Sequence, residues 1–272
     1  MPLNTKQIAV ITGGIALSVL LYFAPSKLSV TEKSSEVKTS QKVVANESEV
    51  SFWIDSLEEK LSSDEKIMME KLKKLKSNRS DSLMVFWVML NQPIPAAFYA
   101  DQSAKENPSV EKLIMAGNRC YLATRYTNNN LSGIFFEKAI MNFQSALEKD
   151  SSNLTAKTSL GACYVEGTQE PMKGIALLRE VVAKDSTFIE AHLRLAMFAV
   201  QSGQFEKAIE RYKKILEINP SFIEAHLYMG EVYASMNQKE KAINSLLKFK
   251  ELSNDALVDS EIDKYIKQLK NS

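Results

Sequence analysis

The chain has 272 residues, of which 45% are hydrophobic, and its 34 basic and 33 acidic residues leave a formal net charge of +1 at pH 7. A charge so close to neutral gives no general electrostatic reason for binding nucleic acid, so nucleic acid is not an expected partner. The length and the hydrophobic fraction suit one soluble folded region joined to a membrane anchor.

The first chain segment with a clear pattern is an uncharged stretch, residues 7–24. A helix of this length would reach about 27 Å at a rise of about 1.5 Å per residue, close to the thickness of the bilayer core. Tyr22 and Phe23 stand where interfacial aromatic side chains are common. Because Tyr22 and Pro25 disfavour cleavage there, we expect residues 1–25 to be an uncleaved transmembrane helix. A cleaved signal peptide is the alternative.

Residues 26–49 are mostly Ser, Thr, Lys, Glu, Val and Gln and have no apolar stripe, which predicts a flexible tether. Four lysines follow the apolar segment and one, Lys6, precedes it. The positive-inside rule therefore favours a single-pass protein of the inner (cytoplasmic) membrane with its folded region in the cytoplasm. The short tail before the segment is typical of the opposite topology, so the periplasm stays open.

The next feature is an internal repeat. Ala191-His192-Leu193 returns as Ala225-His226-Leu227, at an interval of 34 residues, and residues 203–209 return at the same interval as residues 237–243. A fixed period of this size is typical of arrays of helix pairs, in which neighbours bury a shared core. Such arrays mostly present surfaces to partners and seldom carry catalytic sites.

Within each period the large and small residues resemble the tetratricopeptide repeat, here in a membrane-anchored bacterial form. The small positions hold Ala196 and Ala208 in one repeat, and Gly230 and Ala242 in the next. The resemblance implies an all-α solenoid of helical hairpins, because small residues let the two helices of a pair approach closely.

The resemblance covers residues 109–251, with an insertion between two helices around residues 126–130. The preceding residues 50–108 are predicted to be helical, with one degenerate repeat whose turn contains Pro93 and Pro95. Whether residues 50–76 form a further repeat stays open. Residues 252–272 have one apolar and one charged helical face, which predicts a helix that caps the last repeat.

Two local patterns add detail to this prediction. Ser62 followed by Glu65 resembles a capping box that opens a helix. Cys120 and Cys163 fall at interior positions of the repeats and are expected to be buried without a disulfide partner.

The resemblance implies that a ligand would lie on the concave face, which is lined by the first helix of each pair. The expected ligand is a peptide or helix of another protein, held by apolar side chains and a few charges. As an alternative, some of these apolar side chains contact a neighbouring helix instead. The residues carried over to this groove are Asn118, Thr158, Glu190, Leu193, Arg194, Met197, Val200, Leu227, Tyr228 and Glu231.

One known type of ligand is disfavoured. Repeats that clamp the carboxyl terminus of a chaperone use a set of Lys, Asn and Arg side chains. Only Asn118 and Arg194 match that set in this chain, whereas Ile114, Ser159 and Glu190 do not.

Catalytic motifs and metal-binding motifs are not found, so neither an enzyme nor a cofactor is expected. His192 and His226 occupy the same position in adjacent repeats, about 8–10 Å apart by helix spacing, which is too far for one metal ion. Packing is the predicted role of both.

A basic patch is the last feature, formed by Lys71, Lys73, Lys74, Lys76 and Arg79. Cations near the carboxyl end of a helix are usually a solvated face. The alternative is a site for anionic lipid or RNA.

The sequence thus predicts a membrane-tethered scaffold or adaptor that binds a partner peptide or helix, for example as an assembly or chaperone-like factor. A membrane-proximal docking protein that uses the basic patch is the second hypothesis.

Overall fold

The computed structural model describes residues 47–127, 129–253 and 255–271. These residues form thirteen α-helices and one short 3-10 helix, Thr124–Tyr126, with no strand among them. The helices in chain order are α1 (Glu47–Glu58), α2 (Ser63–Lys73), α3 (Arg79–Met89), α4 (Pro93–Glu106), α5 (Val110–Ala123), α6 (Asn129–Lys149), α7 (Leu154–Gly167), α8 (Pro171–Lys184), α9 (Ile189–Gln201), α10 (Phe205–Ile218), α11 (Glu224–Ser235), α12 (Lys239–Ser253) and α13 (Ala256–Asn271).

The predicted all-α class is confirmed for these residues. The predicted anchor, residues 7–24, and most of the tether lie outside them. None of the described helices has both the length and the apolar character needed to cross a bilayer.

The described chain divides into two compact units, residues 47–203 and residues 204–271. The division falls inside the predicted repeat region, at the turn where Gly203 adopts a positive φ of 70°. We call them the amino-terminal and the carboxyl-terminal unit.

Helices of the amino-terminal unit pack against their neighbours in chain order from α3 to α9. Contacts also skip one helix, joining α5 to α7 and α7 to α9, as expected when helical hairpins stack into a solenoid. Trp87, Phe135, Phe143 and Leu178 are fully buried in its core.

Small residues set a close helix contact in this unit, between α7 and α8. A Cβ atom on Gly174 would overlap the carbonyl oxygen of Gly161. The two backbones therefore approach within a distance that only glycine allows, which is the close approach that the repeat pattern predicts.

Helix α2 begins as its capping box predicts. The Ser62 backbone N–H donates to Glu65 Oε2 at 2.8 Å, and the Glu65 backbone N–H donates to the Ser62 hydroxyl at 3.4 Å. The two hydrogen bonds hold the helix start, and they lower the pKa of Glu65 below its usual value.

Two expected loops are different in the structure. Pro93 is the first residue of α4 and Pro95 lies in its first turn, since proline needs no N–H partner at a helix start. The predicted insertion near residues 126–130 is small, because most of the extra residues lengthen α6 to 21 residues.

A cluster of buried side chains joins the last three helices of the carboxyl-terminal unit. Leu227 of α11 and Leu246 and Phe249 of α12 pack in this cluster with Ile262 and Ile266 of α13. Helix α13 is also held by an ion pair of Lys250 with Asp263, at 2.7 Å. It therefore covers apolar side chains of the last helical pair.

Candidate functional site

A surface groove lies on the side of α5 that faces the beginning of α7. Its volume is about 560 Å³. The lining residues are Glu111, Ile114, Met115, Asn118, Arg119, Leu122, Asn153 and Thr155. Asn118 is thus the one predicted site residue that the structure places in this groove.

The groove coincides with the face that the repeat pattern assigns to ligands. In the repeat motif, the first helix has a position for a large residue followed directly by one for a small residue, and Ala116 and Gly117 occupy these two positions in α5. This register places Glu111, Ile114 and Asn118 on the concave side of α5. Asn118 is exposed, and its side-chain oxygen accepts a hydrogen bond from the Ser159 hydroxyl of α7 at 3.4 Å. The amide N–H₂ group of Asn118 remains able to donate to a ligand backbone.

A polar network beside the groove joins three helices. The Tyr121 hydroxyl of α5 donates to Glu166 of α7 at 2.6 Å, and Arg194 of α9 donates to the same hydroxyl at 3.2 Å. Arg194 also pairs with Glu190 at 2.8 Å. Because only 20% of its side chain is exposed, Arg194 acts mainly as a tie between α5, α7 and α9.

The electrostatics of Tyr121 fit this structural role. Burial raises the pKa of its hydroxyl, so the group stays protonated and remains a hydrogen-bond donor to Glu166. The Arg194 guanidinium also lies 5.5 Å from the centre of the Tyr121 ring, at cation–π distance.

Other predicted site residues are buried. Thr158 is 1% exposed and Leu227 is 5% exposed, so neither can contact a ligand in this conformation, and the prediction is wrong for both. For Leu227 the alternative holds, since it packs against neighbouring helices in the cluster that contains α13.

The remaining apolar candidates are half-buried. Leu193, Met197 and Val200 lie in the amino-terminal unit, and Tyr228 lies in the carboxyl-terminal unit against Tyr212, with ring centroids 5.4 Å apart. They remain candidates on two separate units.

Glu231 differs from the prediction of a charge at the rim of a groove. Its side chain is buried, and its Oε2 atom finds no hydrogen-bond partner among the described residues. Burial raises the pKa of Glu231 to about 8. The Glu231 charge also acts on Tyr265 of α13. Burial, and after it the charge of Glu231, raises the pKa of Tyr265 above its usual value.

The basic patch is partly neutralised. Lys73 pairs with Glu58 at 2.6 Å, whereas Lys71, Lys74, Lys76 and Arg79 are exposed. Lys71 and Lys73 lie in the last turn of α2, where cations interact favourably with the helix dipole.

The structure gives the histidines and cysteines packing surroundings. His192 is buried with its Nε2 3.0 Å from the Ser186 carbonyl oxygen, and His226 is half-buried. Cys120 and Cys163 are buried free thiols, as predicted, and burial raises the pKa of Cys163 to about 12. In the part of the chain that the structure describes, no three His, Cys, Asp or Glu side chains are placed to hold a metal ion.

Family models match the chain in its second half. A model described as "TPR repeat" matches residues 199–237, and one described as "Tetratricopeptide repeat" matches residues 224–252. Residues 199–252 therefore contain tetratricopeptide repeats. Together the two matches cover residues 199–252, which overlap most of the stretch, residues 191–242, where the sequence repeats. No curated protein sequence matches this repeat protein.

Three solved structures are similar to this chain, and two of them are described as TPR proteins. TTC0263, described as a thermophilic TPR protein in Thermus thermophilus, is 17% identical with a TM-score of 0.53, over 72% of this chain and 99% of that one. YrrB, described as a TPR protein with an unusual peptide-binding site, is 19% identical with a TM-score of 0.45, over 74% and 97%. A MamA structure from Desulfovibrio magneticus RS-1 is 20% identical with a TM-score of 0.49, over 65% and 96%. The likeness to TTC0263 shows the solenoid fold.

Most residues of the α5 groove were not predicted from the sequence; only Asn118 was. The signal was present in the register of Ala116 and Gly117, which places Ile114, Asn118 and Leu122 on one side of α5. The residues inserted after α5 obscured it, because they break the 34-residue period on which the repeat assignment depends.

Proposed function

We propose that this tetratricopeptide-repeat protein is a scaffold that binds a segment of another protein in the groove between α5 and α7. The observation that supports this proposal most directly is the groove of about 560 Å³, which lies on the face that the repeat pattern assigns to ligands. A volume of this size accommodates a few side chains of a peptide.

The lining of the groove indicates the chemistry of the segment. Ile114, Met115 and Leu122 offer apolar contact, and methionine adapts to side chains of different shape. Asn118 can donate to a peptide carbonyl oxygen. Glu111 and Arg119 add one charge of each sign, so they would fix the direction of a peptide with opposite charges at its two ends.

The polar network of Tyr121, Glu166 and Arg194 joins α5, α7 and α9. It ties the helices that carry the lining residues, and a fixed backbone reduces the entropy lost on binding. Substituting Arg194 would therefore alter the packing of three helices as well as the surface charge. Binding is better tested at residues that only line the groove.

Membrane attachment is the second part of the proposal. The uncharged residues 7–24 would anchor the chain as a single-pass protein of the inner (cytoplasmic) membrane, and residues 26–49 would tether the repeats, with the cytoplasmic side favoured. The full chain is expected to resist extraction with alkaline carbonate, whereas a chain that begins at residue 26 is expected to be extracted.

The binding test compares two exposed apolar residues on neighbouring helices. Leu122 is 38% exposed in the groove, and Met141 is 57% exposed on α6, outside the groove lining. Leu122→Glu places a charge among the apolar lining and is expected to weaken partner binding about tenfold or more. Met141→Glu is the matched control and should keep the partner.

The readout is quantitative affinity purification from solubilised membranes with the full-length chain, followed by titration with the recovered partner. Equal circular dichroism of the two variants excludes unfolding as the cause. If Leu122→Glu and Met141→Glu retain every partner equally, the groove is not the binding site.

A further inference from the structure

A second groove lies at the amino-terminal end of the described helices, between α2 and α3. Its volume is about 560 Å³, and its lining is mainly apolar, with Met68 and Leu72 from α2 and Val85, Phe86 and Met89 from α3. It shares no lining residue with the groove between α5 and α7.

Large apolar side chains are unusually exposed around this groove. Met89 is 80% exposed, Ile67 55%, Met68 51% and Val85 50%. Contiguous apolar exposure of this kind on a folded protein marks an interaction surface more often than a plain solvent face.

The first turn of α2 carries the acidic Asp64 and Glu65, and its last turn carries the basic Lys71 and Lys73. Asp64 and Lys71 are seven residues apart, close to two helical turns, so they lie on the same side of the helix with Met68 between them. Neither Asp64 nor Lys71 has a carboxylate or amine partner within 4 Å among the described residues. The surface therefore carries an unpaired acid, a central apolar residue and an unpaired base, in that order.

This order is complementary to itself. When a second α2 runs antiparallel to the first, a two-fold axis between residues 67 and 68 places residue 64 of each copy opposite residue 71 of the other. The Asp64–Lys71 pair then forms twice, and the two Met68 side chains meet near the axis. Self-complementarity about a two-fold axis is what a symmetric dimer interface requires.

We propose that the surface of α2 and α3 joins two copies of this chain in a symmetric dimer, with their α2 helices antiparallel. Each α2 lies along the groove of the other copy and covers Val85 and Met89, so that apolar contacts form the centre and ion pairs the edge. An anionic lipid surface would attract Lys71 and Lys74 but repel Asp64 and Glu65 at the same groove, which favours a second copy. The dimer does not depend on peptide binding between α5 and α7.

The first test is crosslinking at the expected two-fold axis. Met68→Cys in the full-length chain, in detergent solution, should yield a covalent dimer with a short bis-maleimide crosslinker. Met172→Cys is the matched control, because Met172 is also exposed, at 68%, but lies on α8. The native Cys120 and Cys163 are buried and should not react. Crosslinking of Met68→Cys no greater than that of Met172→Cys would overturn the proposal.

The second test exchanges charges across the interface. Asp64→Lys and Lys71→Glu each place like charges opposite each other, and each should raise the dissociation constant of the dimer about tenfold or more. An equimolar mixture of the two variants restores both ion pairs, so sedimentation should recover a mixed dimer of nearly wild-type affinity. A mixture that dimerises no better than either variant alone contradicts the proposal. The proposal is also contradicted if the Lys71→Glu chain no longer binds anionic vesicles while its oligomeric state is unchanged.

Discussion

Two buried carboxylates of the chain have opposite surroundings. Asp101 in α4 is 3% exposed and accepts hydrogen bonds from Lys138 at 2.7 Å and Asn142 at 2.8 Å, both on α6. Burial would raise the pKa of Asp101, but the bonds from Lys138 and Asn142 outweigh it and hold the pKa below its usual value. Glu231 in α11 has no such partners for its Oε2 atom, and burial raises its pKa to about 8.

Because the pKa of Asp101 is lowered and the pKa of Glu231 is raised, the two carboxylates affect the free energy of unfolding in opposite ways as the pH changes. Asp101 binds its proton less tightly in the folded than in the unfolded state, so its contribution is present above the unfolded pKa and is lost as the pH falls. Glu231 binds its proton more tightly when folded. Its contribution is therefore greatest below the unfolded pKa and is lost as the pH rises to about 8.

The largest expected effect comes from removing the buried cation beside Asp101. Lys138→Met leaves a buried carboxylate with only Asn142 and the outer Lys105 to balance it, and should lower the free energy of unfolding by about 3 kcal/mol. Both tryptophans of the chain, Trp53 and Trp87, lie in the amino-terminal unit, so tryptophan fluorescence in urea measures this unit. A loss below about 1 kcal/mol would mean that the ion pair is not held as the structure shows.

A smaller effect is expected at Glu231. Glu231→Gln removes the buried acid, so the carboxyl-terminal unit should no longer lose stability as the pH rises from about 5 to about 8, and should be about 2 kcal/mol more stable than wild type at high pH. Amide hydrogen exchange of α12, corrected for intrinsic rates, measures this change. Glu240→Gln on the exposed side of α12 is the control and should keep the wild-type pH dependence. The same pH dependence in Glu231→Gln would show that another group titrates.

The smallest effect is expected for the outer cation of Asp101. Lys105 approaches the same carboxylate oxygen as Lys138, at 3.0 Å, but its side chain is 60% exposed. Exposed pairs contribute little, so Lys105→Ala should cost about 0.5 kcal/mol by the same fluorescence measurement. If Lys105→Ala and Lys138→Met lower the free energy of unfolding equally, burial does not determine how much each lysine contributes.

Features that depend on neighbouring residues could be predicted from the sequence. The capping box of Ser62 and Glu65 needs only residues three apart, and the small residues Gly161 and Gly174 follow from the repeat register. Burial of Cys120 and Cys163 follows from the same register.

Contacts between distant residues could not be predicted in this way. Tyr121 and Arg194 are 73 residues apart in sequence, and their hydrogen bond depends on how α5, α7 and α9 stack. Glu231 has the pattern of a groove residue, yet it is buried near α13, whose docking the repeat motif does not specify. The candidate site in the structure differs from the predicted groove for the same reason. Arg194 is held by contacts with neighbouring helices, and the groove beside α5 depends on where α7 begins.

The most direct test of the central claim is hydrogen–deuterium exchange of the full-length chain with and without its recovered partner. Bound peptide should slow amide exchange in α5 and at the beginning of α7, because the groove of Ile114, Asn118 and Leu122 becomes covered. Exchange in α10–α12 should stay unchanged. Protection that spares α5, or that appears only in α10–α12, would contradict the proposed site.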